Sequence, residues 1–276
     1  MKNHLLPTVA ILLFICFEGR AQSLRQPMHA SYTGLGAYSI KMVDLFSFSA
    51  NPAVLAQLKE KAVGVYTERR FMLNALTQTN IVAAVPTGSG NFALQVNYFG
   101  SGLYYETQLG GTYARSLGTK LDIGLGFHYN RIGIPGYLRA DAVVAEAGLM
   151  MHFTEKLHGG LAVYNPTGGM LQRSQREKIA TVFRGGLGLD ASDLFYISAE
   201  MIKEENRPAG VLVGFQYKPI AQLLIRGGIN TMQQQPFFGA GMLWEKLRID
   251  IAATFHPQLG LSPGLLFLYR FKNQVP

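Results

Sequence analysis

The sequence predicts an all-β fold: a transmembrane antiparallel up-and-down β-barrel of about 14 strands, preceded by a short N-terminal plug segment. Three observations predict it. Apolar and polar residues alternate with period two in blocks of ten to twelve residues cut by turn residues. The blocks number fourteen, an even count as bacterial single-chain barrels have. The last block alternates and finishes on aromatic side chains.

The chain opens with a short basic start, Met1-Lys2-Asn3-His4, then an unbroken apolar run from Val9 to Phe17, then Gly19-Arg20-Ala21. That order is a secretory signal peptide, with cleavage expected after Ala21. An uncleaved membrane helix would need ~20 apolar residues, and this run has nine. The only cysteine, Cys16, lies in the removed segment, and its bulky neighbours Phe14, Ile15 and Phe17 do not suit a lipoprotein site. The mature chain therefore carries no disulfide, thiolate metal site or cysteine nucleophile. The expected organisation is a signal peptide at 1–21, a periplasmic or plug segment at 22–61, a barrel at 62–272 and a tail at 273–276.

The formal net charge is +8; without the signal peptide, 23 basic and 16 acidic residues remain. No Lys/Arg-rich run accompanies that balance, so nucleic acid is not an expected partner. Outer-membrane lipid and lipopolysaccharide are the natural anions for an exported basic chain. Thirty-one glycines and thirty Phe and Tyr residues suit many short strands better than helices.

Strands are expected near 62–71, 74–85, 91–100, 106–117, 120–132, 139–153, 157–165, 178–190, 194–203, 208–218, 221–231, 236–245, 247–256 and 263–272. In Leu121 to Tyr129, the face Leu121, Ile123, Leu125, Phe127, Tyr129 opposes Asp122, Gly124, Gly126, His128. In Leu247 to Phe255, Leu247, Ile249 and Ile251 alternate with Arg248 and Asp250. Tight inner-side turns are expected at Thr87–Gly90, Gly118-Thr119, Thr154–Lys156, Ala191–Asp193, Pro219-Ile220 and Glu245-Lys246. The opposite connections are often longer, the asymmetry of outer-membrane barrels. The final strand, Gly264 to Phe271, looks like a barrel-assembly signal, with five residues following the last aromatic.

Between the signal peptide and the first strand lie about forty residues that do not alternate, including Tyr32-Thr33-Gly34-Leu35-Gly36 and Asn51-Pro52-Ala53. A glycine-rich stretch leading to Asn-Pro-Ala resembles the start of FadL-like outer-membrane barrels, including the PorV/PorQ-type barrels of Bacteroidota. The resemblance implies that Gly34, Gly36, Asn51, Pro52 and Ala53 belong to a plug closing the barrel from the periplasmic side; a mobile tail is the plainer reading. It also implies two functions. One is a passive channel for small hydrophobic molecules. The other is an accessory barrel of type IX secretion or surface assembly, with a secretion or surface-assembly protein as partner. The short, mostly polar loop Met170–Glu177 and a closed-looking lumen favour the accessory role over transport.

The lumen face is expected to carry a compensated polar network of Glu200, Arg226, Arg248, Asp250, His256 and Arg270. Unpaired buried charge is costly, so such groups must pair. The network reads either as a selectivity constriction or, preferably, as an internal scaffold sealing the pore. No Gly-x-Ser-x-Gly elbow is present, and His128, His152 and His256 sit on separate strands without metal-ligand spacing. No enzyme activity, metal or cofactor is expected. The aromatic cluster from Phe99 to Tyr105 reads as an interfacial girdle.

Overall fold

The computed structural model describes residues 31–169 and 179–271. The expected signal peptide, most of the loop Met170–Glu177 and the tail lie outside the described residues. Fourteen antiparallel strands close into a barrel, each pairing with the next in sequence and the last with the first. They are β1 (Ala62–Arg69), β2 (Thr77–Thr87), β3 (Gly90–Gly100), β4 (Tyr105–Leu117), β5 (Leu121–Ile134), β6 (Leu138–His152) and β7 (Leu157–Tyr164). The second half comprises β8 (Val182–Asp190), β9 (Phe195–Glu204), β10 (Gly210–Ile220), β11 (Leu223–Asn230), β12 (Gln235–Trp244), β13 (Leu247–His256) and β14 (Gly260–Arg270). Ala62 faces Arg270 across the closing seam.

The pleat sorts the side chains. On β5, Asp122, His128 and Asn130 are buried inward, while Leu125 and Phe127 point outward with Phe127 63% exposed. On β13, Arg248 and Asp250 go in and Ile249 and Ile251 go out. An outward apolar wall fits a hydrocarbon environment rather than water. A Phe127→Arg substitution is accordingly expected to cost ~2–4 kcal/mol in lipid. Reversible urea unfolding in lipid vesicles measures that loss, and the inward-facing Asn130→Ala variant serves as a comparison.

Most boundaries lie within two residues of the sequence pattern, the largest departure being β8, which starts four residues late at Val182; three further differences have a visible cause or consequence. β2 starts three residues late, because Arg70–Met72 and Asn74–Leu76 form 3-10 turns. β10 runs through Pro219 to Ile220, where a register irregularity lets a residue without N–H sit in the strand, so the turn falls at Ala221-Gln222. β14 begins at Gly260, with Pro263 inside the ladder opposite Ala253. For orientation, the end holding the β2–β3, β4–β5, β6–β7, β8–β9, β10–β11 and β12–β13 connections is called the turn end, and the other the loop end.

Residues 31–58 run through the lumen, starting at the loop-end cavity and finishing at the turn-end mouth. The segment forms a short helical turn (Ser31–Gly34) and 3-10 turns at Ser47–Ser49 and Pro52–Gln57. Its apolar side chains Tyr32, Leu35, Phe46, Phe48, Val54 and Leu55 form the molecule's main buried cluster with wall residues. Burying each contributes ~1.5–3 kcal/mol relative to exposure. Small wall residues make the room. A Cβ on Gly124 would lie 2.4 Å from the Pro52 carbonyl carbon, and one on Gly148 would lie 2.2 Å from Asn51 Oδ1. Inside the segment, Gly36 has φ +93 and packs against the Met42 carbonyl, a conformation L side chains rarely adopt.

Candidate functional site

The lumen segment is held by polar anchors at three places on the wall. At the first, Asp44 Oδ2 accepts from Arg248 Nη2 at 2.7 Å and from Arg226 Nη2. Arg248 also forms a two-point pair with Asp250, at 2.8 Å for both bonds. Tyr32 Oη donates to Asp250 Oδ2 at 2.9 Å, and the Arg226 guanidinium lies 5.3 Å over the Tyr32 ring. All five groups are buried. Burial opposes a charge on Asp44, but Arg248 and Arg226 overcome that and hold its carboxyl well below the usual carboxylate range. Two acids thus match two guanidiniums, which is how buried charge becomes tolerable.

At the second anchor, Tyr38 Oη donates to Glu200 Oε1 at 2.9 Å, and Arg184 Nη1 lies 3.5 Å from the same oxygen. At the third, four wall residues on β5 to β8 form a chain. His152 Nε2 contacts Asp122 Oδ2 at 2.9 Å, and His152 Nδ1 meets His158 Nδ1 at 3.1 Å. His158 Nε2 lies 3.3 Å from Asp190. Both ends of this chain grip the lumen segment. Gln57 Nε2 donates to Asp122 Oδ2 at 2.7 Å. Asp190 accepts from Ser39 Oγ at 2.5 Å and from the backbone N–H groups of Ile40 and Lys41. Outside the wall, Lys41 Nζ donates to Asp193 in the β8–β9 turn, an exposed pair that contributes little.

Asn51 and Pro52 act as a start signal for the last 3-10 turn. Asn51 Oδ1 accepts from Ala53 N at 3.0 Å, Pro52 takes the first position, and Asn51 Nδ2 donates to the Leu149 carbonyl at 3.2 Å. One side chain therefore caps the turn and fastens it to β6. Losing such a cap costs ~1 kcal/mol. Asn51→Ala is expected to increase proteolytic cleavage of residues 51–58 several-fold without changing the far-ultraviolet circular dichroism of the barrel.

The six expected network residues do not form one network. Arg226, Arg248 and Asp250 come together around Asp44. Glu200 belongs to the separate Tyr38–Arg184 group. His256 sits at the loop end, its ring edge-on to Phe71 with centroids 5.8 Å apart. Arg270 lines the turn-end mouth. Of the expected plug residues, Asn51, Pro52 and Ala53 are buried against the wall, while Gly34 and Gly36 flank the Leu35 turn. The residues not anticipated are Tyr32, Tyr38, Ser39, Asp44 and Gln57, together with wall His158. A signal existed for one: Asp44 is the sole acid between residues 31 and 58, in a chain whose barrel has an excess of base.

Toward the loop end, polar groups of the wall bond to one another. Asn97 Nδ2 donates to Gln108 Oε1 at 2.7 Å, Gln108 Nε2 donates to Asn130 Oδ1 at 2.9 Å, and both Gln108 and Asn130 reach Tyr164 Oη. His128 Nε2 contacts Glu146 Oε2 at 2.9 Å. Above the start of the lumen segment opens a cup of about 520 Å³, lined by Ser31, Phe71, Met232, His256 and Leu259 among others. Its rim is strained: Phe71, Met72, Asn206 and Gln234 all have positive φ. Among the described residues no metal-binding cluster occurs, and no helix is long and apolar enough to cross a membrane.

No family model matches the chain, and no curated protein matches it. Solved structures do. A TodX deltaS2S3 mutant, a monoaromatic hydrocarbon channel, superposes with a TM-score of 0.64 at 10% identity, over 83% of this chain and 95% of that one. The CymD monoaromatic hydrocarbon channel gives 0.61 at 11% identity, over 90% of this chain and 97% of that one. A Pseudomonas aeruginosa FadL homologue gives 0.51 at 12% identity, over 82% and 93%. These three are two monoaromatic hydrocarbon channels and a FadL homologue, and at such identities the likeness establishes the fold alone.

Proposed function

We propose that this chain is an outer-membrane barrel that passes small apolar molecules passively, with the lumen segment as its gate. The observation that carries this reading is the cup set directly above a plug held by discrete polar anchors. Phe71, Met232 and Leu259 give an incoming molecule apolar contacts in a cup otherwise lined by polar side chains such as Glu68, Arg70, Arg207 and His256, and the anchors below can exchange partners without unfolding the wall. The hydrocarbon channels that share the fold support the same reading.

A second reading, a non-transporting accessory of a PorV/PorQ-type secretion or surface-assembly system, is favoured by one observation. The lumen segment fills its part of the barrel densely, with Tyr32, Phe46 and Val54 fully buried. One experiment separates the two. Labelled monoaromatic hydrocarbon uptake is measured in cells whose lipopolysaccharide bars apolar solutes, with the chain expressed or absent. Planar-bilayer conductance of the purified protein, with and without residues 22–58, accompanies it. Uptake above background that falls with Phe71→Asp supports the conduit. Background uptake together with silence from both bilayer preparations supports the accessory role.

A further inference from the structure

The turn-end mouth holds a cavity of about 320 Å³ between the lumen segment and the wall. Two wall cations, Lys218 of β10 and Arg270 of β14, line it, and Lys41 and Lys59 line it from the other side. Glu60 is the only acid among the lining residues, and it is exposed. Among the described residues neither the Lys218 nor the Arg270 side chain has a hydrogen bond or ion pair. Behind them stands the Asp44 cluster, whose two acids are already matched by Arg226 and Arg248. The charges of Lys218 and Arg270 are therefore unmatched by a neighbouring acid, in a half-buried place where water screens them incompletely.

We infer that this cavity is a binding site for a phosphate group, held between Lys218 and Arg270 of the wall where the lumen segment closes the cavity. A phosphate offers three or more acceptor oxygens to donors arriving from several directions, whereas a carboxylate offers two. Arginine and lysine are the side chains that bind it. Leu45 and Leu268 back the cavity and lower the local dielectric, which strengthens the attraction. A bound phosphate would link β10 to β14 at this mouth, where the lumen segment is joined to the wall by the exposed Lys41–Asp193 pair. The site stands whether or not the barrel conducts.

The test is the apparent thermal midpoint of the full chain in an uncharged detergent, followed by circular dichroism. One arm compares inorganic phosphate with chloride at matched ionic strength. The other compares micelles doped with phosphatidylglycerol or phosphatidylcholine. Phosphate is expected to raise the midpoint by ~2–4 °C over chloride, and the Lys218→Gln/Arg270→Gln double variant is expected to lose that rise. Removing two like charges should lift the double variant's own phosphate-free midpoint, which shows that it folds. A rise only with phosphatidylglycerol assigns the phosphate to a lipid headgroup. A rise with inorganic phosphate assigns it to a free ion. The site is overturned if neither arm moves the midpoint, or if the double variant responds as the native chain does.

Discussion

Replacing Asp44 with alanine is expected to release the lumen segment while leaving the barrel closed. Asp44 accepts from two guanidiniums, and Arg248 keeps Asp250 when it is lost. Arg226 keeps only the Tyr32 ring and a 3.5 Å contact to the Tyr32 carbonyl. A buried cation stranded in this way costs ~3–5 kcal/mol. The segment carries that cost, because the wall is tied by strand pairing all the way round. Limited proteolysis should then cut between residues 31 and 58, and current steps should appear in planar bilayers. Adding Arg226→Met should restore protection, since an apolar group of similar length removes the stranded charge. Full protection in Asp44→Ala alone would mean that the apolar contacts hold the segment without the ion pairs.

Gly124→Leu is expected to give the same release by a steric route. Any Cβ at this position comes within 2.5 Å of both the Pro52 carbonyl carbon and the Ala53 nitrogen, which are backbone atoms and cannot rotate away. Overpacking of this kind costs ~1–3 kcal/mol, concentrated on the Asn51–Ala53 contact. The strand itself gains, because leucine suits a pleated surface better than glycine. Circular dichroism should stay native while residues 51–58 become protease-sensitive. Gly111→Leu is the comparison: its Cβ would point outward and meet nothing nearer than Leu94 Cδ2 at 3.8 Å. Equal protection in the two variants would show that the wall yields to the segment.

All fourteen strands were legible because their two faces meet two different solvents. Leu247, Ile249 and Ile251 against Arg248 and Asp250 is a pattern that period two alone explains. The pattern gives the face but not the depth. Arg248 and His256 share a face of β13, yet eight residues at ~3.3 Å each separate them by roughly 26 Å. That is why His256 falls outside the expected six-residue network, whereas Glu200 is set apart round the wall, on β9 with Arg184. The lumen segment was harder to place, because its partners lie far along the chain: Asp44 bonds 182 residues away to Arg226, and Asn51 bonds 98 residues away to Leu149. No local period encodes such contacts. The Asn51-Pro52-Ala53 turn was legible because capping is local. The chain of Asp122, His152, His158 and Asp190 was not, since its members are scattered over four strands.

The path of the lumen segment also constrains how the molecule comes together. Ser31 lines the loop-end cup, whereas Ala62 starts β1 at the turn end, so the chain between them runs inside the ring of strands. Threading of a chain through a closed ring is rare in protein topologies. Two routes reach this arrangement. The segment can lie in place while β14 zips onto β1, so that the wall is wrapped around its own leader. Alternatively, the ring closes first and residues 31–58 are then drawn into it from the turn end. Only the first route shapes the wall around the segment as the ring forms, so the seam Ala62 forms with Arg270 works as a clasp whose moment of fastening decides whether the interior is packed before or after closure.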